Sequence, residues 1–237
     1  MRDCRPWPRH ATATATLNSG EFQHETPMPH PLPTRPGLYA ITDGPREDLL
    51  AACEAALDGG ATLLQYRDKT RDAARRLAEA RALVSLCSRF AVPLIVNDDV
   101  DLAASAGAAG VHLGEDDVGV ASARERLGAH AIIGVSCYDS LERAHTLATA
   151  GADYLAFGAF HPSPTKPNAR KATLSLLQEA KAFGLPLVAI GGITPENGAA
   201  IVAAGVDYLA AISAVFAAHD IRSAARSFAI LFAASHP

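Results

Sequence analysis

A single (β/α)8 barrel of the TIM type, class α/β, is the fold predicted for this chain of 237 residues, preceded by a disordered N-terminal extension. Three observations predict it. From Gly37 onward one unit recurs: a short apolar run, a polar loop, an alanine-rich helix, a glycine, and the next apolar run. The unit occurs often enough to supply eight strands and eight helices in roughly 200 residues, the usual size of a closed parallel barrel. Finally, the connections from helix to strand are tight and plain, whereas the unusual polar residues all follow strands. That asymmetry belongs to a barrel whose chemistry sits at the carboxyl ends of its strands. An open doubly wound sheet is the alternative, but it would more usually hold about five to seven strands.

Residues 1–36 differ from the rest. They hold seven of the fifteen prolines, the only tryptophan (Trp7), and a Thr-Ala alternation from Ala11 to Thr16, with no apolar periodicity. Such a segment cannot bury enough surface to offset the entropy of ordering, so disorder is expected. Arg2, Arg5 and Arg9 resemble a transit peptide, but Asp3, Glu21, Glu25 and the prolines count against one. Met28, just before the regular pattern, is an alternative start. The barrel domain is expected over 37–237.

Strands are expected near 38–42, 62–66, 93–96, 110–113, 131–135, 153–157, 186–190 and 207–212. Helices are expected near 47–58, 71–89, 100–106, 119–127, 139–149, 172–183, 195–204 and 221–233. The segments 51–66, 101–113, 142–157 and 199–212 show the junction plainly: a small-residue helix, a glycine suited to a left-handed helix end, and a strand at once. Thr194-Pro195-Glu196 has the form of a helix start, with capping hydroxyl, first-turn proline and early acid. Thr70 is a candidate cap for a helix opening at Arg71.

Composition narrows the function. Hydrophobic residues make up 49% and charged residues 19%, as in an ordinary globular protein. A net charge of −4 argues against broad binding to nucleic acid. No apolar stretch is long enough to span a membrane. Cys4, Cys53, Cys87 and Cys137 lie far apart, with neither metal-ligand nor disulfide-framework spacing, which suits a reducing cytoplasm. A basic patch, if present, is local and suits a small anion.

That patch is Gln65-Tyr66-Arg67-Asp68-Lys69, directly after the apolar Ala61-Thr62-Leu63-Leu64. Alternate residues of a strand share a face, so Gln65, Arg67 and Lys69 point the same way, roughly 7 Å apart per pair. A planar donor fork and a compact ammonium together can grip a phosphorylated anion; a solvated strand end is the plainer reading. The third strand delivers Asn97-Asp98-Asp99, the fourth Glu115-Asp116-Asp117, and the fifth ends at Ser136. Acids there would repel a phosphate unless a cation intervened, and Mg2+ takes one or two carboxylates plus phosphate oxygens. Helix capping by Asp98 or Asp99, and by Asp116 or Asp117, is the alternative for each pair. Gly191-Gly192 and Ile212-Ser213 mark the loops where barrels often bind a phosphate, glycine letting backbone approach closely. Residues 162–167 carry Ser163, Pro164, Thr165 and Lys166 on a semi-rigid flap suited to covering a ligand. His112, inside a strand, reads as a satisfied interior histidine. Cys137 has no identifiable base to activate it, and His161 reads either as solvent-facing or as a substrate contact.

The ordered motifs QYRDK, VNDD, GVHLGEDD, IIGVSC, AFHPSPTK, AIGGIT and AISA resemble the thiamine-phosphate synthase family (thiamine-phosphate pyrophosphorylase) over about residues 37–235. The resemblance implies a transferase joining an aminopyrimidine diphosphate to a thiazole phosphate. It implies that the segment Gln65, Tyr66, Arg67, Asp68, Lys69, with Asn97, holds the pyrimidine substrate. Asp98 and Asp117 would ligate Mg2+, and Ser136 and Lys166 would contact the diphosphate. Ser163, Pro164, Thr165, Gly192, Ile212 and Ser213 would serve the thiazole phosphate, with Arg67, Lys69, Ser136 and Lys166 as catalytic groups. Ser163 stands where the family usually has Thr. A thiazole tautomerase of the same barrel type, which would not need the magnesium–diphosphate residues, and a non-catalytic phosphate-binding regulator are the rival readings. A homo-oligomer is compatible with all three.

Overall fold

The computed structural model describes residues 32–162 and 170–233. Eight strands close into a barrel in chain order: β1 (Gly37–Ile41), β2 (Ala61–Tyr66), β3 (Leu94–Asn97), β4 (Gly110–Leu113), β5 (Ile132–Tyr138), β6 (Tyr154–Gly158), β7 (Leu187–Ile190) and β8 (Tyr208–Ala211). Every neighbouring pair is parallel, and β1 pairs with β8 to close the ring. The helices between them are α1 (Leu49–Asp58), α2 (Ala73–Arg89), α3 (Val100–Ala106), α4 (Val120–Leu127), α5 (Leu141–Thr149), α6 (Leu174–Ala180), α7 (Ala199–Ala203), α8 (Ser213–Phe216) and α9 (Ile221–Ala233).

The strand pattern separates two cores. Outward residues such as Leu38, Leu64, Val96, Val111, Val135 and Leu155 pack with the helices in one apolar cluster. Inward residues, among them Tyr39, Leu63, Ile95, Ile132, Tyr154, Val188 and Tyr208, fill the barrel. This is the period-two alternation of a strand put to use on both faces. Barrels of this kind are packed, with no pore through them.

Three helix starts differ from the sequence expectation. Asp72, not Thr70, caps α2 by accepting from the Arg75 N–H, because Thr70 is engaged in a turn by Asp68. Thr194-Pro195-Glu196 opens a turn rather than α7: the Thr194 carbonyl accepts from Asn197 and Gly198, and Asn197 Oδ1 takes the Thr194 N–H. The helix α7 therefore begins at Ala199 behind Gly198. The short α8 was not expected, since four residues leave too little periodicity to read. The helix expected over 172–183 ends at Ala180 and finishes as a tighter turn over Lys181–Phe183.

Residues 1–31, including the alternative start Met28, lie outside the described residues. The described stretch 32–36 has no regular secondary structure. Leu32 packs against the barrel interior, and the Tyr208 hydroxyl donates to the Pro33 carbonyl.

Candidate active site

A cavity of about 870 Å³ opens at the carboxyl ends of the strands, within the usual range for a small-molecule site. Strand β2 shows how alternation builds it. Gln65, Arg67 and Lys69 line the cavity, and the buried Gln65 donates from Nε2 to the Tyr39 hydroxyl at 2.7 Å. Arg67 is fixed through its backbone: Thr42, buried at the end of β1, accepts from its N–H at 2.7 Å and donates to its carbonyl at 3.1 Å. Lys69 is exposed and pairs with Asp98 at 3.2 Å.

Tyr66 and Asp68 face the other way, and neither lines the cavity. The Tyr66 hydroxyl donates to Glu79 on α2 at 2.6 Å. Asp68 accepts from the Thr70 N–H and from Arg75, each at 2.7 Å. Burial works against the Asp68 charge, but these partners outweigh it and hold the carboxyl below its ordinary value. Both side chains anchor the strand end to α2 and are absent from the cavity wall.

The acidic pairs divide in the same way. Asp99 caps α3, accepting from Leu102 at 2.9 Å, and also binds Arg76 at 3.0 Å. Asp98, at φ +63°, turns into the cavity instead. Asx residues tolerate this left-handed conformation better than most. Asp117 does not cap a helix either; it accepts from the Gly114 N–H at 2.6 Å and lies beside Asp98. Burial raises its carboxyl pKa and the neighbouring Asp98 raises it further. Two carboxylates held together against their repulsion suit a hard cation, and Asn97 lines the wall beside them. Among the described residues no cluster of three or more His, Cys, Asp or Glu forms a closed metal site, so oxygen ligands from substrate or water would have to complete the set.

Ser136, at the end of β5, is half-buried on the cavity wall, with Oγ 2.9 Å from His112 Nε2. Arg143 fixes its carbonyl at 2.8 Å and also binds the Gly114 carbonyl at 3.1 Å, joining the β4 and β5 loops. Cys137 points into the outer core, and burial pushes its thiol up to about 12. Burial and the raised pKa both disfavour the reactive thiolate.

Gly192, Ile212 and Ser213 also line the cavity. The glycine pair is required by loop packing: a Cβ at Gly192 would lie 2.4 Å from the Pro162 carbonyl oxygen, and one at Gly191 would lie 2.4 Å from Ala159 Cβ. His161 is half-buried and donates its backbone N–H to the Gly191 carbonyl. Ser163, Pro164, Thr165 and Lys166 lie outside the described residues.

The sequence reading missed Arg170, Tyr138 and Thr42. The Arg170 guanidinium stands 4.5 Å over the Tyr138 ring and pairs with Glu115 at 2.6 Å, and all three line the mouth. No motif marks Arg170, the first described residue after 162. Thr42 reads as an ordinary strand end.

A family profile described as thiamine monophosphate synthase matches residues 38–215. The chain belongs to the thiamine monophosphate synthase family. Members of this family in Marinobacter nauticus and Thiobacillus denitrificans, both named thiamine-phosphate synthase, are 53% and 55% identical over 208 and 201 residues. The alignments cover 86% and 84% of this chain and 94% and 95% of those proteins. A solved thiamine phosphate pyrophosphorylase from Pyrococcus furiosus superposes with a TM-score of 0.78 at 34% identity, covering 85% of this chain and 97% of that one. A structure titled "Native KDPGal structure" has a TM-score of 0.67 at 18% identity, a likeness of fold alone. The matched span, residues 38–215, reaches into all eight strands of the barrel.

Proposed function

We infer that the barrel is a thiamine-phosphate synthase, a transferase of thiamine biosynthesis. It joins 4-amino-2-methyl-5-(diphosphooxymethyl)pyrimidine to a thiazole phosphate and releases diphosphate. The observation that carries this reading beyond family membership is the facing arrangement at the mouth. Gln65, Arg67 and Lys69 share one cavity with Asp98, Asp117 and Ser136.

Asp98 and Asp117 are the residues that would hold Mg2+. When bound, the ion would neutralise charge on the diphosphate, which two carboxylates alone would repel. Arg67 and Lys69 grip the same leaving group as negative charge grows on it, and the Ser136 hydroxyl donates to it. Gln65 and Asn97 position the pyrimidine ring. The carbon–oxygen bond breaks ahead of attack, the electron-rich ring stabilises the resulting pyrimidinylmethyl cation, and the thiazole nitrogen captures it. Gly192, Ile212 and Ser213 support the thiazole phosphate on the far side, at the loops where barrels bind phosphates. The catalysis is positioning plus electrostatic stabilisation and requires no covalent enzyme nucleophile. The buried Cys137 is consistent with that.

The substrates are thus two small anionic molecules. No described helix is long and apolar enough to cross a membrane, and the buried thiols Cys53, Cys87 and Cys137 are all free. Thiols without a disulfide framework fit a cytoplasmic enzyme. The test is a coupled synthesis with purified full-length protein. Thiamine phosphate and diphosphate should form in equal amounts only when both substrates and magnesium are present, and chelation should abolish turnover. Binding of both substrates without product in the presence of magnesium would overturn the synthase reading.

A further inference from the structure

We propose that a hydrogen-bonded chain of five side chains inside the barrel holds His112 in its Nε2–H tautomer, so that the Ser136 hydroxyl turns its own proton toward the cavity. His112 is then a positioning residue for Ser136. The chain runs Gln65, Tyr39, Tyr154, His112, Ser136. Gln65 Nε2 lies 2.7 Å from Tyr39 Oη, and Tyr39 Oη lies 2.8 Å from Tyr154 Oη. Tyr154 Oη lies 2.9 Å from His112 Nδ1, and His112 Nε2 lies 2.9 Å from Ser136 Oγ. The residues come from five different strands, β2, β1, β6, β4 and β5.

Proton counting sets the direction. Both tyrosines are buried, and burial raises their pKa values far enough that each remains a phenol with a single proton to give. The Gln65 nitrogen only donates, so the Tyr39 hydroxyl accepts from it. Among the described residues the Tyr39 hydroxyl has one other partner, Tyr154. A buried donor seeks an acceptor, so Tyr39 donates to Tyr154. Tyr154 in turn donates to His112 Nδ1. The imidazole then carries its proton on Nε2 and donates to Ser136 Oγ. Ser136, already supplied with a donor, has its single proton left for whatever lies in the cavity.

The barrel makes room for this chain. His112, Gly134 and Tyr154 are register partners across β4, β5 and β6. A Cβ at Gly134 would lie 1.8 Å from Tyr154 Cζ, so the missing side chain admits the Tyr154 ring. That ring stacks on the imidazole at 5.6 Å between centroids and 18° between planes. Arg143 holds the Ser136 carbonyl, so the strand end is fixed while the hydroxyl is steered.

The cavity-side acceptor of the Ser136 proton rests on the synthase reading, in which it is a diphosphate oxygen. A hydroxyl obliged to donate to an imidazole cannot also donate to an anion. The Nε2–H tautomer removes that conflict, and the benefit grows as charge develops on the leaving group, so kcat rather than KM should respond.

The test uses full-length protein labelled with 15N in its histidine rings, without substrate, with the His112 signals identified by their loss in His112→Gln. The expected spectrum is a neutral ring protonated on Nε2. Tyr154→Phe should shift the ring toward the Nδ1–H form and lower kcat roughly tenfold or more, short of the about 10²–10³ for deleting an oxyanion donor outright. KM for the pyrimidine diphosphate should change little. His112→Gln, whose amide can still donate to Ser136, should retain more activity than His112→Phe. An Nδ1–H ring in the wild-type protein would mean that the chain runs in reverse from a flipped Gln65 amide, and would overturn the proposal. So would a Tyr154→Phe variant with tautomer and kcat unchanged. Because the tautomer is read without substrate or turnover, failure here is distinct from failure of the synthase assay.

Discussion

The two packed layers of this barrel differ in kind. Between strands and helices the core is built mainly of apolar side chains, with Leu38, Leu64, Val96, Val135 and Leu155 meeting residues such as Leu83, Ala103, Leu177 and Phe228. Inside the barrel three tyrosines stand among the aliphatic side chains, and each hydroxyl is bonded. Tyr208 ties the floor to Pro33, while Tyr39 and Tyr154 lead toward the mouth. Neighbouring residues on one strand therefore serve different ends: Leu38 beside Tyr39, Leu64 beside Gln65, Val135 and Cys137 either side of Ser136. The outer layer needs area and shape, which many apolar side chains can supply. Every polar group of the inner layer needs its partner, and its upper end meets the ligand cavity. Stability and activity should accordingly respond to different substitutions.

The outer layer should show the largest loss of stability. Leu83→Ala, at a fully buried position on α2, should cost about 2–5 kcal/mol in urea unfolding. Its kcat should remain near wild type under conditions where it is folded. A matching fall in kcat would mean that the layers are not separable. At the mouth the pattern should invert. Arg67→Ala should reduce kcat by roughly 10²–10³, the loss expected from removing a donor aimed at developing charge, with an unfolding midpoint close to wild type. Asp98→Asn should do likewise and should raise the magnesium concentration needed for half-maximal rate.

The outer layer was legible in the sequence because apolar periodicity records burial directly. All eight strands lie where the runs of Leu, Ile and Val place them, and Gln65, Arg67 and Lys69 share a face because strand alternation obliges them to. What could not be read was the choice between equivalent residues. Asp98 and Asp99 are chemically alike and adjacent, and only the backbone conformation at Asp98 decides which caps α3 and which faces the cavity. Thr70 and Asp72 posed the same difficulty at α2. Arg170 was invisible because its partners Glu115 and Tyr138 are distant in sequence and meet only when the barrel closes. His112 read as a satisfied interior histidine; the structure gives it partners on both ring nitrogens and a place on the cavity wall.

Gly134 packs against the inner layer at Tyr154, and its substitution should have an intermediate effect. The Cβ of Gly134→Ala would fall on the Tyr154 ring, so the ring must move or the strands must part. Overpacking of this kind costs about 1–3 kcal/mol. Displacing Tyr154 should also break its bond to His112, so kcat should fall with stability, unlike Leu83→Ala. A normal kcat in folded Gly134→Ala would separate the interior tyrosines from the chemistry.

The smallest effect tests the β2 alternation itself. Tyr66 belongs to the most distinctive motif of the chain, yet its hydroxyl meets Glu79 on α2 and lies away from the cavity. Tyr66→Phe removes that hydroxyl and leaves the ring. The expected loss is about 0.5–1.5 kcal/mol of stability, the net worth of one hydrogen bond, with KM and kcat unchanged within error. If KM for the pyrimidine diphosphate rose severalfold while stability held, Tyr66 would belong to the ligand side after all. Strand alternation would then be a poor guide at this mouth. If stability alone changes, the motif divides by parity: Gln65, Arg67 and Lys69 serve the ligand, and Tyr66 and Asp68 hold the strand that presents them.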